Sequence, residues 1–279
     1  SVVGASTLVK YSDAVVADLG GTTLDVASLR GGIPVRSDRG ARVGDFQTSV
    51  DAMAVRTIGL GGDSEIDLSD WPRVRIGPRR ITPVCRMTLE HPETAHPLCE
   101  LRNRYLPKER NGVDFVSRCT AEKQGDPLLE ALGETPRLLA EVANDLGYPA
   151  PRFLDWEPLE TEGKIRRYGL TLTDILHVQG DYEAFDVEAA QRMFDAWVTL
   201  LDADPAEVLD AIHAEFRRMV CAEVLGVALP EDCPWDDEKA GLRDWLCRHV
   251  TGEKENGNGT HLVCRLGMPL VAVGAPAAA

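Results

Sequence analysis

Asp18-Leu19-Gly20-Gly21-Thr22-Thr23-Leu24-Asp25 is the stretch on which the fold turns. Ahead of it runs Ala14-Val15-Val16-Ala17, short and apolar, as a buried strand requires. Val26 to Leu29 resumes strand character, and Gly31-Gly32 turns that second strand. The order is therefore strand, glycine turn, strand. A dinucleotide-binding unit places a helix directly after its glycines, so that class is excluded. A P-loop is excluded too, because no G-x-x-x-x-G-K run followed by Ser or Thr occurs.

The chemistry of the turn follows from its residues. Gly20 and Gly21 remove side-chain bulk, so successive backbone N–H groups can face a phosphate. Thr22 and Thr23 add hydroxyl donors. Asp18 and Asp25 can order water around Mg2+, a cation that takes oxygen ligands. A tight hairpin with a surface aspartate and no ligand would share the glycines. The echo in Gly59-Leu60-Gly61-Gly62-Asp63-Ser64 favours the phosphate-binding reading.

Outward from the turn, the pattern changes. Residues 2 to 9 read as the end of a short helix, and Val35 and Ser49 to Ile58 as further strands. Val74 and Ile76 alternate as a short strand that Gly77-Pro78 ends. Helical spacing covers 127 to 146, with a turn at Gly133 to Pro136. It recurs over 186 to 202, capped by Asp186, with Met193, Phe194 and Trp197 on its core stripe. Residues 204 to 226 follow, with Pro205 in the first turn and Gly226 beyond the end, and then 237 to 250. Lys254 to Gly259 reads as a loop before strand-like Leu262 to Cys264 and Leu270 to Val273. The expectation is an α/β protein. Residues 1–83 together with 260–279 form a sheet-based subdomain, and 84–259 a mostly helical inserted region.

Bulk properties set the class. The chain has 279 residues, 44% apolar and 27% charged, as in a soluble globular protein. With 45 acidic and 30 basic side chains, its net charge of -15 repels a phosphate backbone, so nucleic acid is not an expected partner. No run reaches the about 18 apolar residues of a membrane span. Seven cysteines, an odd number in a long chain, favour a reducing, cytoplasmic location over a disulfide scaffold. The start lacks an export pattern. Both ends stop beside strand-like runs and read as cut from something larger.

Asp18 to Val26 resembles the second phosphate motif of the actin, chaperone-ATPase and sugar-kinase superfamily, and is most similar to the hydantoinase/oxoprolinase family. Ile58 to Ile66 resembles that family's second glycine turn. Arg75-Ile76-Gly77-Pro78 and Pro83-Val84-Cys85 resemble its next elements, and Leu170-Thr171-Leu172-Thr173-Asp174 its Thr-x-Thr-Asp element. Val271 to Ala277 is similar to the strand and turn on its adenosine side. The resemblance implies an actin-like ATPase fold of two ribonuclease-H-like halves with ATP between them. It implies ATP-dependent opening of a cyclic amide such as a hydantoin or 5-oxoproline, or carboxylation in some relatives. Asp18, Asp25 and Asp174 would be catalytic. Gly20, Gly21, Thr22, Thr23, Gly61, Gly62, Asp63 and Gly274 would hold the nucleotide, with Mg2+ on Asp18 and Asp25 through water.

The first phosphate motif of that family is absent, and 85 to 171 does not match its usual short link. A missing upstream half or second subunit is the expected partner, and the chain alone is expected to bind ATP weakly. Two rival readings share the same turn: a small-molecule kinase, and an ATP-binding accessory subunit without turnover.

Cys85, His91, His96 and Cys99 follow one another at intervals of six, five and three residues. Two thiolates and two imidazoles could hold Zn2+, yet the spacing is irregular and none of the pairs is a C-x-x-C knuckle, so a loop with incidental histidines is the favoured reading. His177, three residues past Asp174, would share its helix face and could bind a metal or position water, or be a polar neighbour. Arg166 and Arg167 could touch phosphate or form a solvated patch.

Overall fold

The Ala14–Leu19 strand is buried along its first four residues because both faces of its sheet are covered. The computed structural model describes residues 11–37, 42–43, 46–47, 52–104, 106–109, 111–121, 125–229, 233, 235, 241–250 and 264–274. The helix expected over 2–9, the loop over 254–259 and residues 49–51, 262–263 and 275–277 of the expected strands and turn lie outside them. The described residues divide into two compact units, one from 11–61 and 213–274, the other from 62–212.

In the first unit, Ala14–Leu19 pairs antiparallel with Leu24–Arg30, from Ala14 opposite Leu29 to Leu19 opposite Leu24. On its other side it pairs parallel with Leu270–Val273. Leu24–Arg30 also pairs antiparallel with Ile33–Pro34 and with Val55–Ile58. The result is a mixed α/β sheet. Successive residues of a strand face opposite ways. Ala14, Val16, Ala27 and Leu29 pack on one face with Val55, Val271 and Val273. The opposite face meets the long Pro205–Ala228 helix: Ser28 Oγ lies 3.5 Å from Val227 O, and Arg56 Nε donates to Glu223 at 2.9 Å. Burial on both faces explains an apolar run without alternation.

Gly226 lies inside that helix, not beyond its end. A Cβ there would meet Arg56 Nε at 2.7 Å and Trp235 Nε1 at 2.8 Å. Close packing, not helix termination, accounts for this glycine. Trp235 Nε1 donates to Ala222 O at 3.0 Å beside it.

The second unit begins with Ser64–Asp67 paired antiparallel to Arg75–Arg80. Gly77-Pro78 does not end the strand. It sits where the register shifts between Ile76 and Arg80, in a bulge. A four-stranded sheet follows, in the order Thr82–Pro83, Ile165–Gly169, Phe115–Arg118, Arg137–Leu138. It lies largely within the stretch expected to be mostly helical, where its strands are too short to show a period.

The helices of this unit are set by their caps. The segment 127–146 splits into Pro127–Ala131 and Leu139–Asp145 around the expected turn. Asp126 accepts from Leu128 N and Leu129 N at the first start. Asp186 accepts from Ala189 N at 3.0 Å and starts Val187–Leu201, which buries Met193, Phe194 and Trp197. Thr171 and Asp174 form a reciprocal capping box for Leu172–Gln179, and Gly180 closes it in the left-handed conformation. The final described helix is Leu242–Val250. Among the described residues no helix is long and apolar enough to cross a membrane.

At the centre of the second unit, Arg167 is buried among acids. Its Nη1 donates to Asp114 at 2.7 Å, Asn111 at 3.1 Å and Glu65 at 3.4 Å, and its Nε to Glu160 at 2.9 Å. The Trp156 ring stacks 4.2 Å from its Cζ. Gly169 makes room for this cluster, since a Cβ there would lie 2.6 Å from Asp114 Oδ1.

Candidate functional site

The strand pairing puts Asp18 directly opposite Asp25 at the mouth of the hairpin. Both side chains therefore leave the same face of the sheet, with Cβ atoms about 4.5–5.5 Å apart. Gly20 N donates to Thr23 O at 3.0 Å and closes the turn between them. Gly21 and Thr22 at its tip are exposed.

Thr57 faces Asp25 across the next strand pair. Its Oγ1 donates to Asp25 Oδ1 at 2.6 Å, while Thr23 Oγ1 donates to Asp25 Oδ2 at 3.3 Å. Two hydroxyls thus hold the Asp25 carboxylate in place. Sequence reading passed over Thr57. Its signal was register: it stands two residues before Gly59, on the strand that leads into the second glycine turn.

That second turn packs on the first. A Cβ on Gly61 would lie 2.5 Å from Thr22 N and 2.6 Å from Gly21 C, both backbone atoms that cannot swing aside. Only a residue without a side chain lets the two turns touch. Gly274 plays the same part from the other end of the chain. It adopts φ +110°, and a Cβ there would lie 2.0 Å from Leu19 O. The structure therefore brings Asp18, Gly20, Gly21, Thr22, Thr23, Asp25, Gly61 and Gly274 to one end of the first unit's sheet.

Gly62, Asp63 and Asp174 belong to the second unit. Gly62 O accepts from Thr173 N and Thr173 Oγ1, each at 2.9 Å, which joins the Thr-x-Thr-Asp element to the second glycine turn. Asp63 pairs with Arg80 Nη2 at 3.2 Å. Asp174 is fully buried. It accepts from Thr171 N at 2.9 Å, Thr171 Oγ1 at 2.8 Å and Cys85 N at 2.9 Å. One carboxylate thus anchors the starts of two helices, and its acceptor sites are engaged by the protein. Burial raises its pKa against these hydrogen bonds, which lower it.

His177 is buried beside it. Its Nδ1 donates to Thr173 O at 2.7 Å, so Nε2 is the acceptor for Phe185 N at 3.0 Å. Both ring nitrogens are engaged within the protein, and the ring stacks on Phe185 at 5.6 Å.

The four zinc candidates are not gathered. Cys85 is buried, and burial followed by the neighbouring Asp174 charge pushes its thiol far above the usual range, so it stays protonated. His91 Nε2 lies 3.5 Å from the Tyr168 hydroxyl. His96 and Cys99 are exposed on the Ala95–Glu100 helix. Among the described residues no three His, Cys, Asp or Glu side chains form a group able to hold a metal ion. Spacing in sequence failed here because Cys85 points into the core while the later two face solvent.

No curated protein matches the chain. Among solved structures, nucleotide-free acetone carboxylase, from a study of the mechanism of ATP-dependent acetone carboxylation, aligns at 15% identity and TM-score 0.40 over 90% of this chain. The chain spans 24% of that protein's length. Residues 1–84, which carry the paired carboxylates and both glycine turns, match the hydantoinase/oxoprolinase family.

Proposed function

We propose that the paired-carboxylate turn is the phosphate side of an ATP site in an actin-like, ribonuclease-H-like subdomain. The complete protein would use ATP to open a cyclic amide of the hydantoin or 5-oxoproline class. The observation that carries this reading is the approach of Gly61 to the Gly21–Thr22 peptide, where a Cβ would stand 2.5 Å from Thr22 N. Glycines in both turns keep side-chain bulk away from a phosphate chain that would lie along them. The family match of residues 1–84 supports the same reading.

The donor set fits Mg2+, which takes oxygen ligands and keeps several waters. Asp18 and Asp25 would hold those waters, and Thr57 and Thr23 fix the Asp25 carboxylate for that task. Thr22, exposed at the tip, would donate to phosphate oxygens. Gly274, against Leu19 O, would shape the adenosine side. Bound ATP supplies a phosphoryl group that activates the amide oxygen, so that water can attack the ring carbon. A second subunit or further domain would complete the site.

The test is phosphate release by the complete assembly with hydantoins and 5-oxoproline. Release that is stimulated by one cyclic amide, and lost in Asp25→Asn and Gly61→Val, is expected. No stimulation by any cyclic amide refutes the substrate class. Accumulation of a phosphorylated product would identify a kinase instead.

A further inference from the structure

Resting on the ATP reading above, we infer that Thr57 sets which divalent cation the paired-carboxylate turn accepts, favouring Mg2+ over the larger Ca2+. Thr57 stands opposite Asp25, and Asp25 opposite Asp18, so the three form one row across adjacent strands, on one face of the sheet. The next row inward on that face is Val55, Ala27, Val16 and Val271. That row is apolar, and Ala27 and Val16 are fully buried in it. A carboxylate in the outer row therefore finds no polar side chain behind it. Its partners must come from beside it or from the open end of the sheet.

The two carboxylates of the outer row differ. Thr57 Oγ1 donates to Asp25 Oδ1 at 2.6 Å, within the range of about 2.5–2.7 Å for a strong hydroxyl–carboxylate bond. Thr23 Oγ1 donates to Asp25 Oδ2 at 3.3 Å. Both oxygens of Asp25 are thus engaged, one by a hydroxyl across the strand pair and one by a hydroxyl from the turn. Among the described residues Asp18 has no such pair of hydroxyls. Branching at Cβ restricts the Thr57 side chain to few rotamers, so its hydroxyl is a stiff partner.

Turning the Asp25 carboxylate about its Cβ–Cγ bond would break the shorter of these bonds. Mg2+ dehydrates reluctantly and is served by carboxylates held still towards its waters. Ca2+ accepts about six to eight oxygens in flexible geometry, often both oxygens of one carboxylate. A carboxylate whose two oxygens are already engaged suits the first cation and hinders the second. Loss of a group that orients a metal site from outside its ligand shell typically weakens metal binding by about 10–100-fold. Thr57 is exposed and Asp25 half-buried, so water can partly replace the hydroxyl, and the effect belongs at the lower end of that range.

Calorimetric titration of the complete assembly with Mg-ATP and, separately, with Ca-ATP, without amide substrate, reads the ratio of the two dissociation constants. Tighter binding of Mg-ATP is expected. Thr57→Val keeps the shape and the β-branch, and should reduce the preference for Mg-ATP by about tenfold. Thr57→Ser keeps the hydroxyl and should retain the preference. Thr23→Val should act in the same direction by less, because its bond is the longer one, and it carries the test should Thr57→Val not fold. Damage to the sheet would lower both affinities together and leave the ratio where it was. Two results overturn the cation role and leave the ATP reading standing. One is equal or tighter binding of Ca-ATP by the wild type. The other is an unchanged ratio in a folded threonine-to-valine variant that still binds both complexes. Binding of neither complex by the wild type overturns both readings.

Discussion

Glu223 in the first unit and Arg167 in the second are equally buried, each 1% exposed. They are partnered in opposite ways. Glu223 meets two guanidiniums, Arg56 and Arg243, whose side chains keep 26% and 41% of their exposure. Arg167 meets three carboxylates, of which Glu65 and Asp114 keep only 4% and 5%. In the first unit the surplus charge is positive and reaches water. In the second it is negative and sealed inside. Solvent can screen the first surplus, and a proton must relieve the second. Burial pushes the Asp114 carboxyl up to about 8, while Arg167 draws it down and Glu65 raises it further.

The sharpest way to break this comparison is Arg167→Met. It strands buried carboxylates without their cation, and should destabilise the second unit by about 3–5 kcal/mol. Urea denaturation, with hydrogen exchange followed over 165–169, measures it. A loss below that of Glu223→Gln would contradict the contrast.

Next in size is pH dependence. The folded pKa of Asp114 is raised, so the native state holds a proton that the unfolded chain releases above about 4. The stability it contributes is complete below that point and is lost as pH rises towards about 8. The slope is at most about 1.4 kcal/mol per pH unit for one proton. Asp174, raised in the same direction by burial, adds to the decline. Asp114→Asn should flatten much of this slope. Exchange rates over 222–228 in the first unit should show no matching trend.

Glu223→Gln comes third, at about 1–3 kcal/mol, because Arg56 and Arg243 can turn to water once the carboxylate is gone. Arg243→Gln is smallest, at about 1 kcal/mol or less, since the lost partner is itself half in solvent. Both are read from hydrogen exchange along the Pro205–Ala228 helix.

The two units were also unequally legible in the sequence. The hairpin could be read because an unbroken apolar run, two glycines and a second run are local signals, and Asp18 opposite Asp25 follows from the turn length. The helix cap at Asp186 was local as well. Arg166 and Arg167 show the limit. As neighbours they read as one patch. On the Ile165–Gly169 strand, alternation sends Arg166 to solvent and Arg167 into the core. The partners Glu65 and Asp114 lie 102 and 53 residues away, and nothing in the local pattern pairs them. Cys85 failed as a zinc ligand for the same reason: its neighbour Asp174 is 89 residues on.

The parallel strand Leu270–Val273 has a consequence for how the chain is made. The hairpin at residues 14–30 is synthesised well before its parallel neighbour, which comes about 240 residues later in the chain. The second unit, continuous from 62 to 212, holds all its own strands and can fold on the ribosome first. At about 5–20 residues per second, the 61 residues from 212 to 273 take roughly three to twelve seconds more. Through that interval the outer edge of Ala14–Leu19 lacks its native neighbour. An unpaired apolar strand edge invites pairing with other nascent chains. Expression yield of the first unit should therefore depend on how fast translation reaches Val273, and on any chaperone that covers the waiting edge.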